Sequence, residues 1–336
     1  MKYYSITLFL IGSTFLFAQT NTAVLYLNDI STNGIQATGN TATGQYSFAI
    51  GHENQATGFG SVSLASSSVS SGIASVAIGD RVTASGDYGS TAIGLLTTAS
   101  GNSSFAGGDN TTSSGAYSFA FGENSISSGG TSVAFGFGTE SSGLYSTSFG
   151  VNSNADGNTS AAMGYGTIAS DYGSLVVGVN NLSGSTVTSD ADYLDLSNTA
   201  FVIGNGLDES NRSDALVVKF DGTTTIAGDL NVNSDARLKT NIISLGATLS
   251  KVLQIDGKSY SMKNDKYEKQ KIGLLAQDIE KVFPELVSEI NGVKSVNYQG
   301  IVPVLINALK EQDAKIKDQQ SQINRLENLI QEFVKL

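Results

Sequence analysis

Ser234 and Lys239 stand five residues apart in the stretch S-D-A-R-L-K-T-N-I, residues 234–242, and these two residue types can act as nucleophile and base. A serine hydroxyl is a weak nucleophile at neutral pH, and a lysine that folding strips of solvent can lose its proton and serve as its base. Ser234 would attack the carbonyl of Asn233, an ester would replace the peptide bond, and water would hydrolyse it. The bond cut would be Asn233–Ser234. Residues five apart on a straight helix lie about 140° apart around the axis, so the pair is expected on a bend or strand, active only in the assembled fold. A polar linker with an unrelated serine and lysine is the bland alternative. Asn233 could also promote a slower cleavage through its own side chain.

Little else in the chain offers covalent chemistry. There is no cysteine, and the one histidine is His52. Disulfide frameworks, thiolate metal sites and a Ser-His-Asp triad therefore lose their support, and lysine is the remaining base. No cofactor and no metal are expected. His52, at the edge of a repeat, reads as exposed and neutral. Acidic residues such as Asp80, Asp87, Asp109 and Glu123 fall at turn positions without an evident partner, which speaks against the paired carboxylates of a glycan hydrolase.

The elements that must position the pair change character at Ser234. The 336 residues include 38 glycines, 2 prolines and no tryptophan, a composition that suits many thin repeated layers better than one large core. Up to Asn233 the chain carries 17 acidic and 4 basic residues; from Ser234 it carries 13 acidic and 15 basic, giving the net −11. So acidic a first part repels nucleic acid and anionic membrane surfaces, and neither is an expected partner. Lys2, the apolar run from Ile6 to Phe17 and the small Ala18 read as an export signal over residues 1–18, cleaved near Ala18. The run is too short to span a bilayer comfortably, so no integral membrane span is expected and the mature protein is expected to be secreted or at the cell surface.

From Gly44 to about Val179 the chain repeats. Gly44, Gly58, Gly72, Gly86, Gly101, Gly115, Gly129, Gly143 and Gly157 are 14 residues apart except for one step of 15, and Asp171 takes the tenth place. A second glycine series follows seven or eight residues behind, with Ala65 filling its one gap, and a serine stands four residues before each member. Between serine and glycine the pattern is large-small-large, as in S-V-A-I-G (75–79) and S-F-A-F-G (118–122). Period-two alternation makes each a short strand with its larger side chains on one face. The glycines are expected to make tight turns at positive φ, so that each unit is a coil of two strands and two turns. Such coils are stabilised by stacking and by packing on other chains. These S-x-A-x-G repeats resemble the head of the YadA-like trimeric autotransporter adhesins. The resemblance implies a left-handed parallel β-roll, three chains side by side, and adhesion or surface display toward a host or matrix glycan or protein. Those adhesins end in a membrane-anchoring β-barrel, and no such barrel is expected from the residues of this sequence.

After Asn180 the period is lost. Short alternating strands at Phe201–Gly204, Ala215–Phe220 and Thr223–Ala227 are separated by turn formers such as Asn205-Gly206 and Asp221-Gly222. They are similar to the stalks of phage tail fibres, in which strands of three chains interleave. Beyond Ile242 the texture is α+β: strand-like stretches at 257–263 and 271–275, then a helix over 276–282 with Pro284 just past its end. From Val302 a heptad places Val302, Leu309, Ile316, Ile323 and Ile330 at one core position. Leu305, Gln312, Gln319, Leu326 and Phe333 fall at the other, compatible with a parallel trimer. A surface helix packed on its own domain is the alternative.

The order of S-D-A-R-L-K-T-N-I, K-I-G-L-L-A-Q-D-I-E-K-V-F-P-E-L-V (271–287), S-V-N-Y (295–298) and A-L-K-E-Q (308–312) resembles the intramolecular chaperone of phage tail-spike endosialidases. That resemblance implies a domain that trimerises, guides folding of the β-rich part, and then cuts itself off with Ser234 as nucleophile and Lys239 as base. The expected architecture is therefore mostly β. It comprises a signal peptide (1–18), a lead-in (19–43), a β-roll of head repeats (44–179), a β-stalk (180–233), a small α+β chaperone and self-cleaving domain (234–301), and a coiled coil (302–336). The expected assembly is a homotrimer whose only catalysis is a single cut in its own chain. A catalytic passenger, or an uncleaved fibre with a permanent trimerisation tag, are the alternatives.

Overall fold

The computed structural model describes residues 25–28, 34–183, 192–263 and 268–334, so the expected export signal lies outside the described residues. The chain divides into two units, Met1–Asn231 and Val232–Leu336.

In the first unit each S-x-A-x-G segment forms the core of a five-residue strand, from Phe48–His52 to Leu175–Val179, and each but the last is followed by a turn and a two-residue strand such as Ile126–Ser127. One coil contributes one strand to each of two sheets, and successive coils stack in parallel. Val133 pairs with Thr147 and Gly136 with Gly150, a register of one repeat; Thr91 pairs with Val76 where the longer repeat intervenes. The result is a β-solenoid of about ten turns at a 14-residue spacing.

The alternation decides what lies between the sheets. Ala77, Ala92, Ala106, Ala120, Ala134 and Ala162, the middle residues of the pattern, are fully buried, as are Ala84, Ala99, Ala155 and Ala169 of the short strands. The larger residues face outward instead. Phe105 stacks on Phe119 at 4.9 Å, Phe121 on Phe135 at 5.4 Å and Phe135 on Phe149 at 5.3 Å, forming a ladder along the long-strand sheet. A coil two strands thick has room inside chiefly for alanine, serine and threonine, with Val82 and Asn54 among the larger side chains it buries. The invariant serine uses that room: Ser75, Ser118, Ser132 and Ser146 are buried, and each donates its hydroxyl to the carbonyl three residues back, as Ser132 Oγ does to Gly129 at 2.7 Å.

The two glycine series differ in backbone conformation, though both lie where neighbouring coils approach too closely for a Cβ, which corrects the expectation that both make positive-φ turns. Gly122, of the second series, has φ 132°, inside a strand. Gly115, of the first, has an ordinary φ, but a Cβ there would lie 2.0 Å from the carbonyl oxygen of Gly129, so close approach between coils excludes any side chain. Left-handed turn positions fall two residues after each series, held by residues as unlike as Tyr117, Thr131 and Ala74 after the first and Arg81, Leu96 and Asn124 after the second.

At the tenth coil Asp171 replaces glycine and marks the end of the stack. Its buried carboxylate accepts the backbone N–H and hydroxyl of Thr199 at 2.9 and 2.5 Å. This fastens the strand Thr199–Asn205, which adds in parallel to Leu175–Val179 and continues the same sheet. The strands Asp214–Lys219 and Thr224–Ile226 then follow as an antiparallel meander.

The second unit is small and α+β. It holds helix α1 (Leu249–Val252), an antiparallel pair (Lys258–Tyr260 with Lys271–Gly273), helix α2 (Ala276–Val282), a hairpin (Val287–Ile290 with Val293–Val296) and the long helix α3 (Tyr298–Val334). Ile279, Val282 and Phe283, at helical spacing, pack with Val304 of α3 to form its core. Glu311 of α3 accepts the backbone N–H groups of Thr248 and Leu249, satisfying donors at the start of α1, while Thr248 Oγ1 donates to the Val304 carbonyl at 3.0 Å. Beyond Ala308 the heptad residues of α3, among them Leu309, Ile316, Ile323, Leu326 and Ile330, are exposed.

Candidate functional site

The site lies at the entry to the second unit. Asp235 is extended (φ −63°, ψ 129°) and caps a single 3-10 turn, Ala236–Leu238, by accepting the Arg237 backbone N–H at 2.9 Å. Arg237 folds back onto the same carboxylate, its Nε at 3.0 Å and its Nη2 at 2.6 Å from Oδ2. The guanidinium holds the Asp235 carboxyl below the usual carboxylate range, and the carboxylate in turn raises Arg237. Lys239 closes the turn in an extended conformation (φ −122°, ψ 148°), its N–H donating to the Ala236 carbonyl.

One tight turn flanked by extended residues reverses enough of the chain to bring its ends together. Lys239 Nζ donates to Ser234 Oγ at 2.7 Å. The structure thus brings Ser234 and Lys239 into hydrogen-bonding contact, with Asn233 adjoining, on a bend of the kind the five-residue spacing requires. A neutral lysine at this distance would take the hydroxyl proton as the oxygen attacks. The desolvation expected of Lys239 is not provided by its own chain: residues 221–247 are all exposed.

The other quoted motifs meet elsewhere in the unit. Tyr298, last residue of S-V-N-Y, accepts the Leu274 backbone N–H through its hydroxyl at 2.9 Å. Together with Tyr260, Gln277 and Lys294 it borders a cleft of about 270 Å³. Lys294 pairs with Glu280 and Glu289, and these carboxylates raise its ammonium above the ordinary lysine range. Sequence reasoning missed the hairpin carrying Lys294, although Asn291-Gly292, both at positive φ, is a strong two-residue turn signal. In the first unit Asp80 pairs with Arg81 at 3.3 Å, a partner the sequence reading did not see. Asp109 and Glu123 occupy paired register positions at strand ends and are exposed. His52 lies 3.9 Å from Glu53 and is exposed. No cluster of residues able to hold a metal ion occurs among the described residues, and no helix among them is long and apolar enough to cross a membrane.

Comparison with known proteins agrees with both halves of the chain. Residues 234–288 match the family described as chaperone of endosialidase. Six segments between residues 42 and 181 match the YadA head domain repeat. Among curated proteins, the long tail fiber protein Gp37 of Enterobacteria phage M1 is 34% identical over 30% of this chain and 45% of its own length. The protein of the same description from Salmonella phage S16 is 27% identical over 32% of this chain and 16% of its own length. The chain therefore spans less than half of these relatives.

A stack of repeat coils followed by a separate α+β unit defines a β-solenoid protein, similar in its coils to YadA heads and over part of its length to phage long tail fibres. More particularly, this chain joins YadA head repeats to a chaperone-of-endosialidase domain in one polypeptide.

Proposed function

We propose that the protein is a secreted homotrimeric fibre whose C-terminal domain aligns three chains, directs their folding, and then removes itself at Asn233–Ser234. The observation that carries the cut is the 2.7 Å contact between Lys239 Nζ and Ser234 Oγ. As a free amine Lys239 takes the proton of Ser234, whose oxygen adds to the Asn233 carbonyl. The C–N bond breaks, the Ser234 nitrogen leaves as an amine, and the acyl group rests on Oγ as an ester. Water then releases Asn233 as a carboxylate and restores the hydroxyl. Lysine must lose its proton first, and in one chain it is exposed, so assembly of three chains would supply the desolvation. That ties cutting to completion of the fold.

The need for such a domain follows from the passenger. Every coil offers the same alanine and serine interior to its neighbours, so register between chains is weakly specified. The exposed stripe on α3 would hold three chains in step at high effective concentration. Removal of the domain would leave a fibre whose unfolding is slow and whose refolding lacks a guide, which is kinetic stability. The division proposed is a signal (1–18), lead-in (19–43), head (44–179), stalk (180–233), self-cleaving chaperone (234–301) and coiled coil (302–336). The head would serve adhesion to a glycan or protein surface.

Intact-mass measurement of assembled protein tests the cut. Wild type should give a fragment beginning at Ser234, and Ser234→Ala and Lys239→Ala should stay full length. A wild type that stays whole after assembling would sink self-cleavage and favour a second reading, a permanent trimerisation tag, which the exposure of Ser234 and Lys239 in the single chain supports.

A further inference from the structure

The turns leading into the long strands form one edge of the solenoid, and this edge carries an array that the fold does not require. In the sixth and eighth coils it presents Tyr117 and Tyr145 at one equivalent position, 68% and 64% exposed, and in the longer turn of the fourth coil Tyr88, 61% exposed, one residue before that position, which Gly89 holds. The two coils between them present short polar side chains, Ser103 and Thr131, both exposed. Tyr117 and Tyr145 stand at φ 58° and 59°. Left-handed backbone is unfavourable for a tyrosine and easy for glycine, which holds the equivalent place at Gly60 and Gly173. Neither burial nor backbone preference explains a tyrosine there, whereas an exposed ring with a polar tip is suited to contact.

The spacing and the charge identify the class of ligand. Each coil advances by one strand separation, so Tyr117 and Tyr145, two coils apart at one position, stand ~9.6 Å apart along the edge. That is about the length of one disaccharide in an extended, equatorially linked polysaccharide chain. Such a chain offers an apolar sugar face and a set of hydroxyls at each repeat. The serine and threonine between the rings can donate to and accept from those hydroxyls. From residue 44 to 179 the chain holds eight acidic residues and one cation, Arg81, which disfavours anionic glycans.

We propose that the Tyr117–Tyr145 edge binds a neutral extended polysaccharide of the cellulose or chitin type, the two rings stacking on every second sugar. The assignment rests on the adhesive reading of the head and names its site and ligand class.

The test uses the full chain in its assembled form, retained on insoluble cellulose and chitin and titrated with their soluble oligosaccharides. Wild type should be retained, and Tyr117→Ala or Tyr145→Ala should weaken binding about tenfold. Tyr46→Ala, off the spacing, should change nothing. Tyr117→Gly separates contact from structure, because it relieves the backbone and should raise the thermal midpoint while still weakening binding about tenfold. Wild type that ignores both polymers yet binds host cells or another immobilised ligand would overturn this site and leave adhesion standing. No binding to any surface would defeat the adhesive reading as well. If the tyrosine variants change the oligomeric state rather than retention, the edge is a contact between copies and the proposal fails.

Discussion

Phe135→Ala distinguishes a solenoid that stands alone from one that is packed against copies of itself. Phe135 lies mid-ladder, its ring 5.4 Å from Phe121 and 5.3 Å from Phe149. Losing two stacked contacts costs about 1–3 kcal/mol within one chain, at about 0.5–1.5 kcal/mol each. The ring is also 40% exposed. On a phenylalanine surface of roughly 200 Å² that leaves about 80 Å², worth ~2 kcal/mol per chain at ~25 cal/mol per Å² if a partner covers it. Three chains together then lose about 6 kcal/mol beyond the intrachain cost, by the same area estimate. Denaturant unfolding of wild type and variant across a hundredfold range of protein concentration reads the two parts separately. The intrachain loss is independent of concentration, whereas the interchain loss appears as a steeper dependence of the midpoint and as dissociation of the variant on dilution. A variant that unfolds at a concentration-independent midpoint, lowered by the stacking cost alone, beside a wild type equally insensitive to concentration, would refute burial of the ladder between chains.

Other substitutions probe single steps of the argument. Ala65 stands at φ 91° where the other coils have glycine. Ala65→Gly should stabilise by ~0.5–1 kcal/mol, strain relief outweighing the added freedom of the unfolded chain, and Gly122→Ala should destabilise by about 2–5 kcal/mol, both read by thermal unfolding. Ile279→Ala empties the fully buried centre of the C-terminal core and should cost that unit about 2–5 kcal/mol. If the unit guides folding, the yield of soluble head should fall with it, and an unchanged yield would argue against guidance. Hydrogen bonds from the Thr248 and Leu249 backbone lower the Glu311 carboxyl below its ordinary value. A depressed carboxyl stabilises fully above its unfolded value and loses that contribution as the pH falls through the folded one. Melting of the C-terminal unit should therefore drop on acidification below the glutamate range, and Glu311→Gln should flatten the drop.

Much of this was legible without coordinates because the chain states it many times over. The 14-residue period, the strands at each S-x-A-x-G, the helix over 276–282 and the break in charge at Ser234 were read directly, since local periodicity and turn chemistry are properties of consecutive residues. The five-residue spacing of Ser234 and Lys239 likewise named a pair and a bend. It did not reveal that Asp235 and Arg237 build the turn, because one carboxylate bonding two groups two residues away is a matter of three-dimensional closure. Nor did it reveal that the pair is exposed in its own chain, because burial is set by whatever lies across from a segment. The Asn291-Gly292 hairpin was available in the sequence and passed over.

Alternation by two separates two faces of a strand but does not say which is inside. The sequence by itself determined the coil, its period and the residues on each face. Only the tertiary structure decided that alanine and serine go inward and phenylalanine outward, because two sheets joined by turns this short approach too closely to admit a ring. For the same reason Gly115 is fixed by the carbonyl of the next coil, and only the stacked structure places Tyr88, Tyr117 and Tyr145 along one edge, since residues far apart in the chain become neighbours only when the coils are laid upon one another.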